Sequence, residues 1–172
     1  RTLNQCMIAG LGKIKASDVQ FIWQTGKIYF EQAKTAVAKA GDLPMLYVTD
    51  FISKMENAYS AADLVISRAG AGSISEFCLL SKPVVLVPSP NVAEDHQTKN
   101  ALALVEKDAA LYVKDSEANE KLLDVAMEIV HKEDILKGLS ANIAKLAHVD
   151  SANIIAEEVY KLAEKYKKEH GY

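Results

Sequence analysis

The stretch Ser67-Arg68-Ala69-Gly70-Ala71-Gly72-Ser73-Ile74-Ser75-Glu76 lies between two apolar runs, Asp63-Leu64-Val65-Ile66 before it and Phe77-Cys78-Leu79-Leu80 after it. That order reads as strand, glycine turn and helix start. Two glycines let the backbone approach a ligand closely, and the free N–H groups at the start of a helix attract negative charge, so phosphate is the expected guest. A second reading fits the same residues: Ser73-Ile74-Ser75-Glu76 has the form of a capping box, in which Ser73 and Glu76 each satisfy a backbone N–H of the first turn. The Gly-x-Gly spacing does not extend to a dinucleotide fingerprint. Ser75 replaces the third glycine, and the next strand ends in Pro88-Ser89-Pro90 without the acidic residue that would hold a ribose.

Around this turn the chain alternates. Helical spacing at Leu3, Met7, Ile8 and Leu11 is followed by the β-type run Val19 to Thr25 and a helical stretch from Tyr29 to Ala40, stopped by Gly41. Strand-like Met45 to Val48, a short helix from Met55 to Ala62 and strand-like Asp63 to Ser67 come next. A helix from Ser73 to Leu80, a strand from Pro83 to Val87, a helix from His96 to Lys107 and a last strand from Ala109 to Val113 complete the pattern. Unbroken apolar strands separated by helices predict an α/β fold with a parallel sheet covered on both faces. Past Asp115 three helices are expected, over 117–131, 134–147 and 151–170. In the last, Ile154, Ile155, Val159 and Leu162 form what reads as a core-facing stripe, with a charged, solvated back.

The 172 residues, 49% hydrophobic and 25% charged, suit one globular domain, and a net charge of −3 gives no electrostatic reason to expect nucleic acid. Cys6 and Cys78 sit in apolar, helix-like sequence with no second cysteine or histidine at ligand spacing, so both read as buried thiols suited to a reducing cytoplasm. The pattern calls for no metal and no cofactor. No apolar run approaches the roughly 18–20 residues that span a bilayer. Helical spacing already under way at Arg1, with neither methionine nor cap before it, reads as a piece of a longer chain.

In open α/β sheets ligands gather outside the carboxyl ends of the strands, which collects Thr49 to Ile52, Arg68 to Glu76 and Pro88 to Asn100 on one rim. Glu76 is ill suited to a pyrophosphate, because like charges repel strongly in a partly dehydrated cleft. A carboxylate accepts two hydrogen bonds at once, which matches a pair of ribose hydroxyls. Gln97 offers donors and an acceptor to a sugar, and His96 either does the same or lies in solvent. His131, His148 and His170 fall away from the rim.

Three collinear stretches carry a resemblance: Val48-Thr49-Asp50-Phe51-Ile52, Ala61 through Glu76, and Asp95-His96-Gln97-Thr98-Lys99-Asn100-Ala101. Over essentially its whole length the chain resembles the C-terminal domain of the MurG family, which moves N-acetylglucosamine from a UDP carrier to the undecaprenyl-pyrophosphoryl-muramyl-pentapeptide lipid of peptidoglycan synthesis. The resemblance implies a Rossmann-like, donor-binding half of a two-domain (GT-B) inverting glycosyltransferase. Carried across, the backbone at Ile52 reads the uracil edge, with Phe51 and Met55 walling the base. Ala71, Gly72 and Ser73 hold the phosphates, Glu76 the ribose, and His96 with Gln97 the sugar. Arg68 is read two ways, as support for the departing diphosphate or as a structural pair that fixes its loop.

The resemblance also implies what lies outside residues 1–172: a strand and a Gly-Gly-Ser-rich loop before Arg1, and an acceptor domain that supplies the general base and the membrane-facing patch. The last helix, 151–170, is expected to pack toward that domain. The parent protein is then a hexosyltransferase in cell-wall biogenesis, cell shape and division, peripheral on the cytoplasmic face of the membrane, and this chain alone is expected to bind the donor weakly, if at all, and to be inactive. Two other functions share the donor: a UDP-N-acetylglucosamine 2-epimerase-like isomerase, which has the same two-domain plan, and a non-catalytic nucleotide-sugar-binding module.

Overall fold

A computed structural model describes residues 1–171. The elements run α1 (Thr2–Ala9), α2 (Leu11–Ala16), β1 (Phe21–Gln24), α3 (Lys27–Ala40), β2 (Leu46–Thr49), α4 (Met55–Ala61), β3 (Val65–Ser67), α5 (Ala71–Leu79), β4 (Val84–Leu86), α6 (His96–Val105), β5 (Leu111–Tyr112), α7 (Ala118–Val130), α8 (Glu133–Ala144) and α9 (Ser151–His170). The alternation expected from the sequence is present. All strand pairs are parallel, as short strands joined by helical crossovers require.

One expectation needs correcting. Among the described residues the strands form two sheets, β1–β2 and β3–β4–β5, and no ladder joins them. The difference shows in burial. Val84, Val85 and Leu86 of β4 are wholly buried between two neighbours, whereas β3 is only half-buried along its length, as an unpaired edge leaves it. In the smaller sheet Trp23 points inward and is buried, while the outward pair Ile22 and Tyr47, opposite each other in register, is exposed.

Helix α1 holds the two sheets in one body. Asn4, buried, donates from Nδ2 to the carbonyl of Thr25 just past β1 (2.8 Å) and accepts from Trp23 Nε1 (2.9 Å). Thr2 donates to Asp115 (3.0 Å) beyond β5. Met7, Leu11 and Ile14 pack with Trp23, Ala33, Leu43 and Leu123 in one apolar cluster. Cys6 packs in another with Val85, Val87, Val113 and Leu122. A third cluster, around Phe77, Val84, Leu86, Ala101 and Ile143, seats α5, α6 and α8 on the larger sheet. Both cysteines are buried and free, and burial raises each thiol pKa.

The last helix overturns the core-stripe reading. No residue of α9 is buried; Ile154, Ile155, Val159 and Leu162 are 55–66% exposed. The helix departs after Asp150, which is left-handed (φ 73°), and runs clear of the body. Its amphipathic pattern is real, but an apolar face on a helix specifies that something covers it, not that the cover lies in the same stretch of chain.

Candidate functional site

The carboxyl ends of β3 and β4 are bound to each other through one side chain. Arg68, immediately after β3, donates from Nη1 to the carbonyls of Val87 (3.0 Å) and Pro88 (3.1 Å) and to Asp115 Oδ1 (2.5 Å). The pair is largely withdrawn from water, with side-chain exposures of 27% and 18%. Asp115 accepts Thr2 on its other oxygen. Arg68 thus has three protein acceptors, which is the structural one of the two roles read from the sequence.

Helix α5 begins earlier than its sequence suggests. Gly70 is the residue before the first turn, and Ala71 and Gly72 are already helical. Ser73 is therefore inside the helix, no side chain caps it, and the capping-box reading falls. Ser75 bonds back to the carbonyl of Ala71 (3.0 Å) instead. Gly70 has φ −70° and neither Gly70 nor Gly72 takes a positive φ, so no backbone strain requires them. A Cβ at either position would meet nothing within 4 Å. What the two glycines leave is open space over a helix N-terminus whose N–H groups have no side-chain partner, a setting that accepts an anion.

Glu76, freed from capping, is exposed on α5 and accepts a hydrogen bond on Oε2 from the hydroxyl of Tyr59 in α4 (3.1 Å). The Tyr59 ring stands edge-on to Phe77 (centroids 5.8 Å, planes 89°), and Phe77 is buried. Burial first, then the hydrogen bond and charge of Glu76, push the Tyr59 pKa up to about 12.

The remaining predicted residues sit in the loops around these. Ile52 follows β2, and its N–H is held by the Gln24 side chain (2.8 Å), so a base reading that edge competes with an internal amide. Phe51 beside it is exposed and Met55 half-buried at the start of α4. His96 opens α6 directly after Glu94 and Asp95, both left-handed (φ 50° and 55°), and its Nε2 lies 3.8 Å from Glu94. Gln97 is already employed: its Oε1 accepts from the N–H of Ser89 (2.9 Å) and shapes the loop after β4. Asn100, one turn on, donates to the carbonyl of Ala69 and ties α6 to the glycine turn (3.1 Å). The sequence reading missed Tyr59, Gln24, Asn100 and Asp115. Asp115 has no local signal, being 47 residues from its arginine.

His131 pairs with Asp18 and His170 with the carbonyl of Tyr166, both outside these loops. The groove between α1 and α3, lined by Ile8, Glu31, Gln32, Thr35, Ala36 and Lys39, lies on the helical flank. Among the described residues no helix is long and apolar enough to cross a membrane.

Comparisons with known proteins bear on this geometry. The family described as "Glycosyltransferase family 28 C-terminal domain" matches residues 1–159. A UDP-N-acetylglucosamine–N-acetylmuramyl-(pentapeptide) pyrophosphoryl-undecaprenol N-acetylglucosamine transferase from Phocaeicola vulgatus is 72% identical over 171 residues, 99% of this chain and 46% of the relative. The transferase of the same name from Bacteroides thetaiotaomicron is 70% identical over 165 residues, 95% and 44% respectively. The chain therefore spans less than half the length of these relatives. Among solved structures, MurG from Acinetobacter baumannii superposes with a TM-score of 0.75 at 27% identity, over 91% of this chain and 48% of that one. The glycosyltransferase VinC in complex with dTDP shares the fold, with a TM-score of 0.62 at 18% identity over 81% of this chain and 32% of that one.

The tyrosine pKa gives a test of the Tyr59–Glu76 contact. Since the native state holds the phenolic proton up to about pH 12, against an unfolded value of 10.0, the contribution is full below pH 10 and is lost as pH rises toward 12. Ultraviolet difference titration should show one of the seven tyrosines ionising last. Tyr59→Phe should remove that step and flatten the fall of stability across the same window; a titration unchanged by the substitution contradicts the contact.

Proposed function

The chain belongs to the glycosyltransferase family 28 C-terminal domain family, and from that membership we propose that it is the donor-binding half of a transferase that moves N-acetylglucosamine from UDP-N-acetylglucosamine to a lipid-linked muramyl-pentapeptide acceptor in peptidoglycan synthesis. The observation that carries the reading is the pairing of an open, uncapped helix N-terminus at Ala71 to Ser73 with an exposed carboxylate, Glu76, about one turn along the same helix. The first suits a diphosphate and the second a ribose. Ile52 presents the edge of the loop after β2 to the uracil, with Gln24 giving way, and Phe51 and Met55 flank the ring. His96 and the free amide of Gln97 face the sugar.

In the transfer, the acceptor hydroxyl attacks the anomeric carbon directly as UDP departs, inverting that centre. This half holds the donor and stabilises the charge growing on the diphosphate with fixed dipoles already in place. Arg68 contributes by keeping the loops after β3 and β4 in register. The general base and the acceptor site belong to the part of the relatives that this chain does not match. The names of the relatives favour transfer over epimerisation, and they equally favour an enzyme over a binding module.

Two features of the fold suit a larger whole. A further parallel strand between β1 and β3 would join the two sheets and cover the unpaired edge of β3. The uncovered stripe on α9, Ile155, Val159, Leu162 and Tyr166, suits the surface of the acceptor-binding half. Binding of the parent protein to the cytoplasmic face of the membrane belongs to that same half.

Titration of UDP-N-acetylglucosamine, followed by amide chemical shifts, should give weak, saturable binding in this chain and tighter binding in the full-length transferase. Glu76→Ala should weaken it by about 1–3 kcal/mol, the worth of a charge-assisted hydrogen bond. Equal affinity for the variant would remove Glu76 from the site. In the full-length transferase, Leu162→Glu should cut lipid-linked product formation about tenfold or more, since an unpaired charge is placed on an apolar contact, and leave UDP affinity unchanged. Full activity in that variant would contradict the docking of α9.

A further inference from the structure

Tyr59 is outside the loops that the family resemblance singles out, yet it is the side chain that touches Glu76. A glutamate on the exposed face of a helix ordinarily samples many rotamers, and fixing it on a ligand costs that freedom. Here the freedom is already gone. The Tyr59 ring is set edge-on against Phe77, which is 1% exposed and packed in the largest apolar cluster, so the phenol oxygen has a fixed position. Its hydroxyl donates to Oε2 of Glu76, and Oε1 has no hydrogen-bonding partner among the described residues.

From this geometry we propose that Tyr59 is a positioning residue for ribose recognition: it clamps one carboxylate oxygen of Glu76 so that the other, with the remaining lone pair, accepts the vicinal hydroxyls of the donor's ribose. The proposal rests on the reading of Glu76 as the ribose ligand and adds its specificity determinant. A carboxylate that accepts from a neutral phenol keeps its charge and its acceptor capacity. A lysine or arginine in the same place would neutralise the carboxylate and compete with the sugar. The high pKa of the phenol agrees, because it keeps Tyr59 protonated, and so a donor, far above neutral pH. The role is preorganisation, paid in advance by the packing of one aromatic ring on another.

A merely structural tyrosine and a positioning one are separated by the ligand. UDP and 2′,3′-dideoxy-UDP are each titrated by amide chemical shift into the wild-type chain, Tyr59→Phe, Glu76→Ala and the double variant; the same spectra report the fold. The wild type should prefer UDP by about tenfold or more. Tyr59→Phe keeps the ring on Phe77 and should weaken UDP three- to tenfold, leaving the dideoxy analogue within twofold. In the Glu76→Ala background Tyr59→Phe should have no further effect on either ligand. Equal weakening of both ligands, or no change in the preference, overturns the positioning role while the wild-type preference keeps the ribose reading intact. A wild type indifferent to the missing hydroxyls overturns both.

Discussion

The guanidinium of Arg68 is the constraint on which the rim depends. Three acceptors from two distant parts of the chain, the adjacent carbonyls of Val87 and Pro88 and the carboxylate of Asp115, converge on one nitrogen. Each contact fixes the end of a strand or the turn beyond it. Through Asp115 the same network reaches Thr2, so the start of α1, the end of β3 and the loop after β4 share one hydrogen-bonded junction. A partly buried arginine and aspartate withstand desolvation only when both are well paired, which makes this junction specific in geometry as well as stabilising. The glycine turn at Gly70 to Gly72 hangs from it, and Asn100 secures that turn from the other side through Ala69.

With the junction in place, the rest of the rim follows from short-range packing. Phe77 fixes the orientation of α5 on the larger sheet, Tyr59 leans on Phe77, and Glu76 is held by Tyr59. The consequence is an ordered carboxylate beside an uncapped helix N-terminus. The electrostatic logic is complementary, since the helix end attracts the diphosphate and the acid, set farther along, meets a neutral diol. From that same junction α1 binds the two sheets together through Asn4 and Thr2, where a ladder would do so in a continuous sheet.

Much of this was legible in the residues because periodicity and apolar runs report burial directly. The alternation of strands and helices, the parallel pairing and the buried cysteines all follow from local pattern. The failures have distinct causes. Ser73 and Glu76 satisfy the spacing of a capping box, but the helix starts two residues before Ser73, so Gly70 holds the N-cap position and Ser73 falls where the box needs the glutamate. The stripe on α9 reads as core, yet it is exposed, because a hydrophobic pattern does not say where its partner lies. The α/β class and parallel pairing hold, but alternation alone does not show that β1 and β3 lack a common partner strand, so the pattern reads as one sheet where there are two. Tyr59 and Asp115 were invisible because their partners are 17 and 47 residues away, and nothing local marks a long-range hydrogen bond.

The central claim is that the loops after β2 and β3 bind opposite ends of one uridine diphosphate. Intermolecular nuclear Overhauser effects between UDP and the isotope-labelled chain test it most directly. The account predicts contacts from the uracil H5 and H6 protons to Phe51 and Ile52, together with contacts from the ribose protons to the side chain of Glu76. Base contacts confined to the groove between α1 and α3, or ribose contacts that avoid α5, would contradict it.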